Sequence, residues 1–314
     1  MLTEQNRTEC VFIHPGFPRS ATNVIQNYIF ARHDQILSLG RPWTDLNLKI
    51  HVGINEIEGV NYDAVLVASL IEKALSGFDV SKNKCIVLSD EALLSNAFMR
   101  NTIATRLKAL FQNAHIIFTI RNQIKALESN YSNAGRMLKD VPEPYCGRFI
   151  SLENWLSYQF KNENTTSLGL FDYHKTISMY EKIFGRDRVH VFLFEDFINE
   201  KKEFCNNMMR LLSINEEQAY SLVEGKWNNR RVSASSATYA RLREKILPGA
   251  SIRSKVPFGN KLQKWFSNHL KKGKGMKVEI PDDWKMRLNN FYKEGNVQLM
   301  KSKGLSLDKY GYPL

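Results

Sequence analysis

The residues with the clearest chemical potential lie between Val11 and Phe30, in the string VFIHPGFPRSATNVIQNYIF. An apolar run, Val11-Phe12-Ile13, has strand character. A turn of Pro15, Gly16, Phe17 and Pro18 follows. Arg19, Ser20, Ala21, Thr22 and Asn23 then lead into the helical spacing of Val24, Ile25, Tyr28 and Ile29. Backbone N–H groups point outward at such a junction, the helix dipole favours negative charge, and the hydroxyls of Ser20 and Thr22 add donors. A cation at a helix N-terminus opposes that dipole unless an anion lies between them. The chemistry expected here involves a phosphate or a sulfate.

The loop is not a Walker A loop, which needs Gly-x-x-x-x-Gly-Lys-Ser/Thr. Pro18-Arg19-Ser20-Ala21-Thr22-Asn23 has no Gly before the cation and no Gly-Lys pair. Asp90 follows a strand but shares its position with Glu91, so no clear magnesium carboxylate stands out. A phosphoryl-transfer enzyme with a degenerate loop is therefore the alternative reading. Further along, Arg121 closes an apolar strand and Ser129 stands about two helical turns beyond it at 3.6 residues per turn. Both reach one phosphate if the helix returns past it, and a guanidinium suits a phosphate dianion. Pairing of Arg121 with a nearby acid such as Glu128 is the plain alternative.

Apolar β-rich runs at Val11–Ile13, Cys85–Leu88, Ile116–Ile120 and Val189–Phe194 supply these positions. Amphipathic stretches lie between and after them, at Thr22–Ala31, Asp63–Leu75, Met99–Phe111, Ile124–Asn133, Leu152–Phe160, Leu170–Phe184 and Lys201–Leu212. Alternation of this kind predicts an α/β fold, three layers with a central parallel sheet flanked by helices. Ligands bind beyond the carboxyl ends of such strands. Pro281-Asp282-Asp283 opens a last helix and Gly304 stops it.

The chain has 314 residues, 43% of them hydrophobic, and reads as a single domain. No window has the length and apolarity of a membrane span, and MLTEQNRTEC is neither a signal nor a transit peptide. Cys10, Cys85, Cys146 and Cys205 lack metal-ligand spacing. A reduced, cytoplasmic, bacterial-type setting without a metal is expected. Thirteen Lys/Arg and one acid between Asn228 and Lys277 carry the whole net charge of +12. With Gly249, Pro257, Gly259, Gly273 and Gly275, residues 228–277 read as a basic, loop-rich insertion or lid that attracts anions. Interleaved exposed aromatics are lacking, so nucleic acid is not expected.

Together these strings resemble the sulfotransferases that use 3′-phosphoadenosine 5′-phosphosulfate (PAPS). Their 5′-phosphosulfate loop, Pro-Lys/Arg-Ser-Gly-Thr-Thr/Ser, is similar to Pro18–Asn23, with Ala21 in place of Gly and Asn23 in place of the second hydroxyl residue. Ala has less backbone freedom than Gly, while Asn23 can still donate to a phosphate oxygen. The 3′-phosphate motif, an Arg ending a strand with a Ser eight residues on, is similar to Arg121 and Ser129. RDRVHVFLFEDF at Arg186–Phe197 resembles the late strand, and FYKEGNVQLMKSKGLSLDKYGYP resembles the terminal helix and tail. Glu195 and Asp196 read as capping or pairing groups.

The resemblance implies a P-loop-like sulfotransferase fold, PAPS as donor, its desulfated form (PAP) as product, and no metal. Pro18, Arg19, Ser20, Ala21, Thr22 and Asn23 would hold the 5′-phosphosulfate, and Arg121 and Ser129 the 3′-phosphate. Arg230 and Arg231 would add cations from a late loop. Arg19 would stabilise charge on the leaving phosphate. Glu91, just after a strand, ranks first as general base. Its other reading is dipole stabilisation with Ser89 as cap. His51 and His14 follow, with His14 close enough to the loop to contact phosphate and His51 in a poorly patterned segment that suits an exposed side chain. The acceptor expected is a hydroxyl, less readily an amine, of a carbohydrate, glycolipid or small molecule. Lys255, Lys261, Lys264, Lys271, Lys272 and Lys274 exceed what one nucleotide needs and would hold an anionic acceptor or a membrane surface.

Overall fold

The computed structural model describes residues 10–79, 81–133, 150–226 and 278–314. They fall into two compact units. The first takes its described residues from 10–122, 172–226 and 295–311, the second from 123–171, 278–294 and 312–314.

The first unit is built on a five-stranded sheet. Its strands are β1 (Cys10–His14), β2 (Ile36–Ser38), β3 (Cys85–Ser89), β4 (His115–Ile120) and β5 (Val189–Leu193). All pair in parallel, in the order β2-β3-β1-β4-β5. Every residue of β3 is buried, as are all but the first of β4. Such apolar strands, covered on both faces, are what a parallel sheet requires. The helices α1 (Thr22–Val24, continuing as a π-helix over Ile25–Phe30), α2 (Asp45–Asn55), α3 (Ala64–Leu75) and α4 (Arg100–Leu110) flank the sheet.

The α/β expectation holds, with three differences. β2 is an extra strand, too short to show a period in the sequence. α2 occupies the segment without clear pattern. Leu170–Phe184 is two helices, α7 (Ser167–Leu170) and α8 (Tyr173–Phe184), because α7 ends after one turn and Asp172 takes a non-helical conformation before α8. Strand β1 lies at the centre, with β3 and β2 on one side and β4 and β5 on the other. The crevice beyond its carboxyl end is the switch point where doubly wound sheets bind ligands.

One core cluster joins Phe12 of β1, Ile25, Ile29 and Phe30 of the π-helix, Val87 of β3 and Ile117 of β4. Phe204, Met208, Met209 and Leu212 of α10 (Lys201–Leu212) and Ala219 and Val223 of α11 (Glu216–Val223) complete it. Gly40 fixes the approach of the chain after β2 to the end of β3. A Cβ there would stand 2.0 Å from the Ser89 carbonyl oxygen, a backbone atom that cannot swing aside. Gly40→Ala should therefore cost at least about 2 kcal/mol in urea unfolding. An unchanged midpoint would mean the two segments are not in this contact.

In the second unit, α5 (Gln123–Asn133) and α6 (Leu152–Lys161) pack through Tyr131 and Trp155, whose ring centroids are 5.5 Å apart, and Asn130 Nδ2 of α5 donates to Ser167 Oγ of α7 at 2.6 Å. The Gln159 side chain accepts from Leu168 N at 3.1 Å, and Tyr292 Oη donates to Leu168 O at 2.9 Å. Glu128 accepts from Lys125 Nζ at 3.1 Å and from Ile280 N at 3.3 Å. The last helix, α12 (Asp282–Lys303), begins and ends at the expected signals, with Gly304 at φ +66. Among the described residues no helix is long and apolar enough to cross a membrane. The basic segment 228–277 lies outside the described residues.

Candidate active site

The loop after β1 is anchored from below. Phe17 is fully buried, with its ring centroid 4.7 Å from that of Tyr173 on α8 and 5.3 Å from that of Phe118 on β4. Above this anchor the backbone turns through left-handed conformations at Gly16, Arg19 and Ala21, with φ of 64, 72 and 63. Alternation of this kind turns successive N–H groups into a concavity that suits an anion. It strains Arg19 and Ala21, since L-residues avoid this region, and strain of this sort concentrates at functional sites. Ala21 thus adopts the conformation for which glycine is the unstrained residue.

Ser20 and Thr22 are buried, and both hydroxyls donate to the Phe17 carbonyl, at 2.5 and 2.9 Å. They brace the loop, where the sequence suggested donors held ready for a ligand. Pro18 and Arg19 are half-buried, and Asn23 is exposed on the first turn of α1.

Arg121 leaves the end of β4 beside this loop. Its Nη1 donates to the Arg19 carbonyl at 3.0 Å, and its guanidinium carbon lies 4.5 Å from the Phe194 ring centroid. Buried Tyr173 fixes its backbone, with Oη donating to Arg121 O at 2.7 Å. Glu195 Oε1, on α9 (Phe194–Asn199), accepts from Asn122 N at 2.9 Å, and Asp196 accepts from Tyr310 Oη at 2.6 Å. Both acids serve as pairing groups that tie the chain after β4 and the C-terminal segment to the sheet edge. Burial depresses the pKa of Arg19, and the positive charge of Arg121 depresses it further. Two guanidiniums that repel each other over a concave run of backbone amides fit an anion between them. Ser129 lies on α5 in the second unit, half-buried, with its carbonyl accepting from Ser132 Oγ. Arg230 and Arg231 lie outside the described residues.

Glu91 stands at the end of β3, in a 3-10 turn over Glu91–Leu94. Burial raises its pKa above the ordinary carboxylate value, Arg41 and Arg19 pull it back, and Asp90 adds to the rise. The turn is capped by Asp90, whose side chain accepts from Ala92 N at 3.0 Å. Ser89 does not cap it. Its hydroxyl pairs with His14 Nδ1 at 2.7 Å.

His14 is fully buried, and burial depresses its pKa to about 3. A neutral, enclosed ring is neither a phosphate contact nor a base for an acceptor, which corrects both expectations. Because the unfolded chain takes up a proton near pH 6.5 and the folded chain does not, His14 stabilises the fold above pH 6.5. That contribution is lost as pH falls toward 3, by up to about 1.4 kcal/mol per pH unit. Urea unfolding between pH 7 and pH 5 should show this slope, and His14→Gln should flatten it.

His51 is not exposed either. It lies on α2 with its side chain 10% accessible, its Nδ1 2.5 Å from Asp90 Oδ2 and its Nε2 3.3 Å from Glu56 Oε1. Asp90, Asn55, Arg41 and Trp43 form the surroundings that sequence reasoning missed. Asn55 Nδ2 lies 3.4 Å from Asp90 Oδ2, and Arg41 Nε lies 3.9 Å from Asp90 Oδ1. Thr44, whose side chain accepts from Asn47 N as the cap of α2, was the available signal. Among the described residues no group of three or more His, Cys, Asp and Glu side chains forms a metal-binding arrangement.

No protein-family model and no curated protein matches the chain. Solved structures do. A sulfotransferase from Alicyclobacillus acidocaldarius superposes with a TM-score of 0.56 at 14% identity, over 95% of this chain and 98% of that one. The sulfotransferase domain from the curacin biosynthetic pathway matches with a TM-score of 0.45 at 14% identity, over 87% of this chain and 99% of that one. The parallel sheet flanked by helices thus has the sulfotransferase fold.

Proposed function

We propose that the protein is a sulfotransferase that moves a sulfuryl group from PAPS to an acceptor hydroxyl. The observation that carries this reading is the meeting of Arg19, Arg121 and Glu91 around the strained loop after β1, on a sheet of the sulfotransferase fold. The residues present fit a doubly phosphorylated nucleotide. Loop amides with Arg19 would hold the 5′ end, and Arg121, at the end of the neighbouring strand β4, the 3′-phosphate. When bound, the nucleotide supplies the sulfuryl group and a phosphate leaving group.

The protein's part is electrostatic and positional. Arg19 keeps its proton at any working pH, so its charge opposes negative charge on the departing phosphate. Glu91, with its pKa raised by burial, is matched to taking the proton of the acceptor hydroxyl. The acceptor is a carbohydrate, glycolipid or small molecule.

Nucleotide titration by calorimetry tests the reading. PAP is expected to bind with EDTA present and to lose most of its affinity in Arg121→Ala. Binding of ATP only with magnesium, and none of PAP, would transfer the site to phosphoryl transfer.

A further inference from the structure

Beside Glu91, the segment after β2 and helix α2 bring together a set of groups that the transfer step does not use. Asp90 is nearly inaccessible, and its carboxylate meets His51 Nδ1 at 2.5 Å, Asn55 Nδ2 at 3.4 Å and Arg41 Nε at 3.9 Å. Trp43 closes the ring, with its centroid 4.7 Å from that of His51 and 5.0 Å from the Arg41 guanidinium carbon. The second nitrogen of His51, Nε2, faces Glu56 at 3.3 Å. A carboxylate at each nitrogen favours an N–H at each, which is the imidazolium. The raised pKa of His51, set first by its bond to Asp90, agrees with this.

The two carboxylates differ in kind. Asp90 is enclosed and anchored by a backbone amide as well. Glu56 is a surface side chain, 62% accessible, at the long end of hydrogen-bonding distance. Exposed pairs of this kind contribute little and exchange readily. The Arg41 side chain, 43% accessible, adds a cation a short distance away and a charge that acts on Glu91.

We propose that His51 and Arg41 form a carboxylate subsite for the acceptor, in which Glu56 occupies the place of the acceptor's own carboxylate. Resting on the sulfuryl-transfer reading, this names the acceptor class: a hydroxylated molecule that carries a carboxylate near the hydroxyl to be sulfated. Asp90 is the positioning residue. It holds His51 by Nδ1 so that Nε2–H points outward, and it places Glu91, the next residue, beside the same ligand.

The test uses methyl β-D-glucuronide as the carboxylate probe and methyl β-D-glucoside as its neutral counterpart. Each is titrated into the full chain, with and without PAP, and read by the His51 ring proton signals. The glucuronide should shift those signals saturably and bind roughly tenfold more tightly than the glucoside, as expected for charge-assisted hydrogen bonds. His51→Gln and Arg41→Gln should each lose about that factor and leave PAP affinity unchanged. The deciding variant is Glu56→Gln, a surface change that the fold tolerates. Removal of the resident carboxylate should tighten glucuronide binding several-fold. Weaker or unchanged glucuronide binding in Glu56→Gln, or no saturable shift of His51 in the parent protein, would overturn the subsite. Loss of PAP binding with the glucuronide response intact would instead strike at the transfer reading alone.

Discussion

Arg19→Ala should lower the turnover of sulfuryl transfer roughly 10²–10³-fold, the range for removing one preorganised donor from a site of developing charge. The guanidinium is half-buried, opposed by the neighbouring charge of Arg121 and attracted by Glu91. It is therefore a cation already present beside the loop before any ligand arrives. Alanine would keep the left-handed φ of 72 at a similar strain, so urea stability should change little and the loss would report on chemistry. Arg19→Lys should recover part of the rate, since a point charge replaces the fork. Full activity in Arg19→Ala, measured by release of PAP, would remove this residue from the transfer step.

Glu91→Gln should reduce turnover by about 10²–10⁴-fold while PAP affinity is kept, because a general base acts on the acceptor proton. The amide preserves shape and cannot take a proton. The pH profile gives a second reading of the same group. A base must be ionised to work, so activity should fall with acid as Glu91 is protonated. Burial raises its pKa, which moves that limb above the ordinary 4.5 of glutamate. In Glu91→Gln the residual activity should lose the limb. A profile unchanged in the variant would assign the proton to another acceptor, and His51 is poorly placed for it. Both of its nitrogens face carboxylates, which favours the charged form and leaves neither nitrogen turned toward an acceptor.

Much of this site was legible in the sequence. The strand-turn-helix from Cys10 to Phe30, the arginine that closes β4 and the acid after β3 are short-range features. Local spacing places each of them at the carboxyl edge of a parallel sheet. Helix α2 was not legible, for a specific reason. Leu46, Leu48, Ile50, Val52 and Ile54 alternate with other residues and so show no helical period, while the buried helical stripe uses Ile50 and Ile54 and leaves Leu48 44% accessible. With the helix unrecognised, His51 had no partner in view.

The Asp90–His51 contact spans 39 positions and the His14–Ser89 contact 75. Only the register of β1 against β3 brings His14 and Ser89 together. The roles of Ser20 and Thr22 were equally hidden, since a hydroxyl at a helix start donates as readily to a bracing carbonyl as to a phosphate.

The most direct measurement is a crystal structure of the protein soaked with PAP. Density is expected for the 5′-phosphate against the amides of the loop Pro18–Asn23 beside Arg19, and for the 3′-phosphate on the Arg121 guanidinium. Density elsewhere, or an Arg121 side chain still bonded only to protein while PAP is bound, would contradict this placement.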